Sequence, residues 1–178
     1  MRFRDRFNNF WGRVDRGGNV QFIAGPASDA RGILKVNDDG SIVCEVEATV
    51  DGAVETQITQ FSSKGVKMSV LATRPGRTPT SSNQTVEAAD GTIYFPDQDD
   101  GIWRLANGSL TKLAVLPAVG GSSVLVEGIA MLPSGDLIAS MIDSRILKIA
   151  PSGTVTTLAA PSNTMVMKDG AVGAVGIG

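Results

Sequence analysis

The strongest chemical candidate in the chain is the run Asp97-Gln98-Asp99-Asp100. Calcium-binding loops place oxygen ligands on alternate residues so that successive side chains turn toward one ion, and Asp97 and Asp99 meet that spacing. The run lacks the twelfth-position Glu and the rest of the ligand pattern, so a solvated turn with no metal site is expected. As a general acid and base, carboxylates in such a turn would lack the burial that moves a pKa toward neutrality. Asp143 and Arg145, in a second polar turn, join Asp97, Asp99 and Asp100 as the loop residues best suited to a small ligand.

The remaining reactive side chains are few. The sequence has no histidine and a single cysteine, Cys44. Ser-His-Asp and Cys-His nucleophiles, HExxH metal sites and intramolecular disulfides are thereby excluded. Cys44 alternates with Ile42 and Val46 in SIVCEVE, the pattern of a buried apolar thiol, and no basic neighbour is present to lower its pKa. Gly120-Gly121-Ser122-Ser123 lacks the Lys and the spacing of a phosphate loop. Trp103 and Tyr94 fall in adjacent predicted strands, where they could offer a sugar-stacking platform; core packing is the favoured reading. No catalytic residue is assigned, no cofactor is expected, and the chain is read as a protein other than an enzyme.

Charge and hydropathy narrow the partners. Sixteen Lys and Arg oppose eighteen Asp and Glu, a net charge of −2, so no basic field is available to hold a nucleic acid backbone. No apolar run approaches the ~20 residues that span a bilayer. The opening MRFRDRF is not followed by an apolar segment of the signal-peptide kind, so a soluble chain without an export signal is expected.

The elements that must position these residues read as β throughout. SIVCEVEATV, VKMSVLA, TIYF, IWRL, LTKLAVL, LIASM, ILKIA and TVTTLA are short apolar or alternating runs separated by Gly, Asp, Asn, Ser and Pro. Many of the 21 glycines stand in pairs such as Asp39-Gly40, Asp90-Gly91, Asn107-Gly108 and Asp169-Gly170, where tight antiparallel reversals need a positive φ. One segment departs from this pattern. Phe3, Phe7, Phe10 and Trp11 lie at i, i+4, i+7 and i+8, the face of an amphipathic helix, with Arg2, Arg4 and Arg6 interleaved. The stripe either packs on its own domain as a short terminal helix or strand or, in the sharper reading, docks into a neighbouring subunit, with insertion at a membrane surface as a third reading. Residues 73–83, rich in turn formers, read as a solvated connector. The expected organisation is a docking segment over 1–13, an N-terminal β module or first blades over 14–75, and blades with a C-terminal strand over 84–178.

The second half carries an internal repeat. Gly91 and Gly108 are 17 residues apart, Gly135 and Gly153 are 18 apart, and Gly91 to Gly135 is 44. Weaker echoes extend the series, since Gly18, Gly65, Gly108 and Gly153 are spaced by 47, 43 and 45. A period near forty residues signals stacked supersecondary units. The unit EGIAMLPSGDLIASMIDSRILKIAPSGTVTTLA resembles an NHL repeat, the four-stranded blade of a β-propeller, and residues 86–160 carry that resemblance. It implies two hairpins side by side, with the strand after the first turn nearest the propeller axis. The first unit lacks the G-I-A opening, and Asp143-Ser144-Arg145 is a shorter connection than the family's. The expected fold is therefore all-β, of antiparallel propeller-like hairpin blades. It has either about four units closed within one chain or two blades plus an N-terminal β module, together with the short N-terminal amphipathic segment.

Arg31-Gly32-Ile33-Leu34 ahead of Asp38-Asp39-Gly40-Ser41-Ile42-Val43-Cys44 is similar to short β units in tailed-phage minor structural proteins. That resemblance implies a virion component, assembled in the host cytoplasm as a decoration, fibre-base or tail accessory subunit. Its partners would be capsid or tail proteins or further copies of itself. A free-standing propeller module that binds a glycan or peptide is the alternative, and a lyase or hydrolase of the NHL-like kind ranks below both.

Overall fold

The computed structural model describes residues 2–5, 10–14, 17–23, 30–75, 84–97, 101–118 and 125–160. Among them every regular element is a strand. β1 (Arg2–Asp5), β2 (Phe10–Val14) and β3 (Val20–Ile23) make a three-stranded sheet. β4 (Ala30–Val36), β5 (Ile42–Val50), β6 (Ala53–Phe61) and β7 (Lys67–Pro75) make a four-stranded one. Two more four-stranded sheets follow. One contains β8 (Val86–Glu87), β9 (Ile93–Asp97), β10 (Gly101–Ala106) and β11 (Ser109–Ala114); the other contains β12 (Val126–Met131), β13 (Leu137–Met141), β14 (Ile146–Ile149) and β15 (Val155–Ala159). In each sheet spatial order equals chain order, so the chain is a series of antiparallel meanders of the propeller-blade kind. Gly18, Gly65, Gly108 and Gly153 each precede the last strand of a sheet, which gives their regular spacing its structural meaning.

Two turn designs join the strands. Six five-residue turns share one hydrogen-bond pattern: Asn37–Ser41, Ser62–Val66, Ala88–Thr92, Leu132–Asp136, Met141–Arg145 and Ala150–Thr154. In each, the first N–H donates to the fifth carbonyl and the fourth N–H donates back to the first carbonyl, at 2.8–3.0 Å. This is a three-residue loop whose fourth position must be left-handed, and glycine fills it in five of the six. Asp51-Gly52 (φ 51° and 80°) and Asn107-Gly108 (φ 50° and 73°) instead make two-residue reversals with both residues at positive φ.

The chain divides into two compact units, Met1–Asn83 with Gly108–Leu110, and Gln84–Asn107 with Thr111–Gly178. In the first, Ile42, Cys44 and Phe61 form an apolar cluster with Ile33, Val36 and Val46 on one face of the β4–β7 sheet. The pairing Glu45↔Ile58 and Thr56↔Arg74 puts these four residues on the opposite face, and all four are buried. In the second unit the β8–β11 and β12–β15 sheets share one core of Ile102, Ala114, Leu116, Leu137, Ala139, Met141, Leu147 and Ile149. Each fully buried Leu or Ile there contributes about 1.5–3 kcal/mol as an upper estimate. β12 lies against β8 and β9, and the Gly153 turn rests on the Leu113 carbonyl.

Two expectations are corrected. The helix-like aromatic spacing of residues 3–11 belongs to strands: β1 pairs antiparallel with β2, with Phe3↔Gly12, Arg4↔Trp11 and Asp5↔Phe10 as partners. Periodicity in eleven residues cannot separate a helix face from two short strands once a reversal intervenes. Finally, Thr73–Pro75 is not connector but the end of β7, and Arg74 is buried there. Residues 76–83, the Asp169-Gly170 pair and the C-terminal tail lie outside the described residues.

Candidate functional site

The turn between β13 and β14 carries the most elaborate polar construction among the described residues. Met141 donates to the Arg145 carbonyl at 2.9 Å, and Ser144 donates to the Met141 carbonyl at 2.9 Å. Ser144 holds φ 66°, in the position that glycine fills in the five sister turns. Asp143 folds back over this reversal: its Oδ1 accepts the Arg145 backbone N–H at 3.1 Å, and its Oδ2 accepts Arg145 Nε at 2.7 Å. The far side of the guanidinium, Nη2, donates to the Pro117 carbonyl at 2.8 Å. The neighbouring Ile142 N–H donates to the Leu125 carbonyl at 3.0 Å.

The turn therefore grips the connection between β11 and β12 on both flanks, at Pro117 and at Leu125. Arg145 is buried, whereas the Asp143 side chain keeps about a third of its surface. An arginine suits the task because its planar fork serves a carboxylate and a backbone carbonyl at the same time. Removing it would take the donor from the exposed Pro117 residue's carbonyl and from Asp143, a cost of about 0.5–1.5 kcal/mol for each hydrogen bond lost.

Asp97 ends β9 and is 1% exposed, which overturns the expected solvated position. Its strand explains this, because Ile93, Phe95 and Asp97 point to one face and all three are buried. Its partner across the ladder is Gly101, at φ 118°, where a Cβ would stand 2.0 Å from the Ala114 carbonyl oxygen. Asp99 and Asp100 lie outside the described residues. Among the described residues no group of three or more His, Cys, Asp or Glu side chains is placed to hold a metal.

Trp103 and Tyr94 do not form a platform. Trp103 stands opposite Phe95 and Tyr94 opposite Arg104, so the two rings project from opposite faces of the sheet. Tyr94 packs on the shared core, and Lys112 Nζ lies 5.4 Å from the Trp103 ring centre in a cation–π contact. Cys44 is buried and its thiol donates to the Thr59 carbonyl at 3.8 Å. Burial first, and the adjacent Glu45 second, push its pKa up to about 12.

The carboxylates of Asp39 and Asp90 cap two turns. Asp39 Oδ1 accepts the Ser41 N–H at 2.8 Å, and Asp90 Oδ1 accepts the Thr92 N–H at 2.9 Å. These bonds hold both below the ordinary carboxylate value: for Asp39 the Ser41 side chain leads, for Asp90 the Thr92 backbone does. Of the aromatic-basic docking set, Arg2, Phe3 and Arg4 sit in β1 and Phe10 and Trp11 in β2. Arg6 and Phe7 lie outside the described residues. Sequence reasoning passed over the buried polar face of Glu45, Thr56 and Arg74. The one signal available was the alternation of Val43, Glu45 and Glu47, which reads equally as a solvated face.

No family model matches the chain, and no curated protein matches it. Among solved structures it is similar to the computationally designed Ika8 protein, at 13% identity and a TM-score of 0.46, over 88% of this chain and 46% of that one. It is also similar to the extracellular domain of a two component system protein, BT3049, from B. thetaiotaomicron. There the identity is 14% and the TM-score 0.47, over 92% of this chain and 22% of that one. The chain thus spans less than half the length of either structure.

Proposed function

We propose that the chain is a non-catalytic interaction protein of propeller-like blades, and more finely a structural subunit of a tailed-phage virion. In this reading it joins the particle in the host cytoplasm and contacts capsid or tail proteins, or further copies of itself, through its N-terminal strands. Kinship with NHL repeats over residues 86–160 belongs to the same proposal. The observation that carries it is the use made of Asp143 and Arg145. Offered by the sequence as ligand donors, they spend their hydrogen bonds on each other, on their own turn and on Pro117. A glycan or peptide module would have to take Arg145 away from a carbonyl it already satisfies, so the framework role supports a protein that works through its surfaces. Of the proposed docking residues, Arg2, Phe3 and Arg4 on β1 and Phe10 and Trp11 on β2 belong to one three-stranded sheet completed by β3, so a single element carries them.

The test compares the full chain with a form lacking residues 1–13 for incorporation into assembled particles. Loss of incorporation, with far-ultraviolet circular dichroism and urea midpoint kept, is expected. Unchanged incorporation would overturn the docking role. A body that unfolds on truncation would reassign the segment to closing its own sheet.

A further inference from the structure

We infer that Asn107-Gly108 is a self-modification site, at which Asn107 converts through a cyclic imide to aspartate and isoaspartate. The reaction needs a backbone nitrogen free to attack the side-chain carbonyl of the preceding residue. Gly108 N bonds to Asn107 Cγ, ammonia leaves with the proton from that nitrogen, and water then opens the ring at either carbonyl. Opening at one carbonyl gives aspartate. Opening at the other gives isoaspartate, in which the main chain runs through the side-chain carbon and is one atom longer.

The turn chemistry selects the place. In the five-residue turns the glycine N–H is already used: Gly40 donates to the Asn37 carbonyl and Gly91 to the Ala88 carbonyl. The aspartates before those glycines are further protected, since Asp39 and Asp90 accept hydrogen bonds as carboxylates and a carboxylate loses oxide far less readily than an amide loses ammonia. In the two-residue reversal the Gly108 N–H has no acceptor among the described residues, and Asn107 and Gly108 are both exposed. The other reversal of this design carries Asp51 before Gly52, so it offers a free nitrogen but a poor leaving group. Of the seven asparagines in the chain, Asn107 alone is followed by glycine, the neighbour that least hinders ring closure.

The two products differ in consequence. Aspartate fits, because Asp51 holds the same place at nearly the same φ. Isoaspartate inserts an atom into a loop whose length sets the pairing of β10 with β11, so it loosens that hairpin.

The full-length protein is incubated in mildly alkaline, heavy-oxygen water and digested with trypsin, which releases Leu105–Lys112 with Asn107 as its one asparagine. That peptide is expected to gain the label ahead of every other asparagine peptide and to split into aspartyl and isoaspartyl forms. Asn107→Gln is expected to abolish both changes, and Asn107→Asp to leave the urea midpoint unmoved. An unlabelled Leu105–Lys112 peptide from the folded protein, alongside a labelled one from chain held in urea, would overturn the inference by showing that the turn shields the site. Label arriving first at another asparagine would overturn it equally.

Discussion

At the scale of single residues, one serine and one cysteine show how far side-chain chemistry is set by backbone and burial. Ser144 occupies a left-handed position that five sister turns give to glycine, at a cost of about 1–2 kcal/mol for an L-residue. Glycine there would relieve the strain but release about 0.5–1 kcal/mol of extra unfolded-chain entropy. Ser144→Gly should therefore raise stability by up to about 1 kcal/mol, read as a higher urea midpoint at unchanged slope; a lower midpoint would mean that the serine side chain holds something the backbone does not reveal. Cys44 presents the opposite case, a reactive group made inert. With its thiol buried and its pKa pushed up to about 12, it should resist alkylation in the folded protein at neutral and mildly alkaline pH and react fully in denaturant. Stoichiometric labelling of the native state would show that the β5–β6 face opens. The alternation in SIVCEVE was enough to read this burial from sequence.

At the scale of elements, the strands with alternating or continuous apolar runs were legible, and those with polar interiors were not. β6, AVETQITQF, carries no apolar run, yet Thr56, Ile58 and Thr59 are all buried. Burial on both faces of a sheet depends on what packs against it, which periodicity within one strand cannot report. The same limit hid Arg74, whose neighbours Pro75 and Gly76 mark a turn while the strand continues into it. The turn glycines carried the organisation because their requirement is local. Gly153 adds a second requirement, since a Cβ there would stand 2.2 Å from the Leu113 carbonyl oxygen. That approach lets the β14–β15 turn settle on β11, joining the two sheets outside their shared core. Gly153→Ala meets both the left-handed backbone and the carbonyl, and should cost about 2–4 kcal/mol, with loss of amide protection across β11 and β15. A loss confined to β15 would place the cost in its own hairpin and remove the joint between sheets.

At the scale of the whole molecule, the repeated turns make stability depend on pH in a direction that follows from their caps. Asp39 and Asp90 hold their pKa values below the ordinary 3.8 because Ser41 and Thr92 donate to the ionised carboxylates. A group depressed in the folded state contributes stability above its unfolded pKa and loses that contribution as pH falls through the folded value. The urea midpoint should accordingly hold from neutrality through mild acid and decline once the pH drops below about 4. Asparagine retains a side-chain carbonyl for the same N–H but has no proton to bind, so the double variant Asp39→Asn with Asp90→Asn should start lower and fall less steeply in acid. Both carboxylates are open to solvent, so salt should shrink the decline. An acid limb equally steep in the double variant would assign the pH dependence elsewhere.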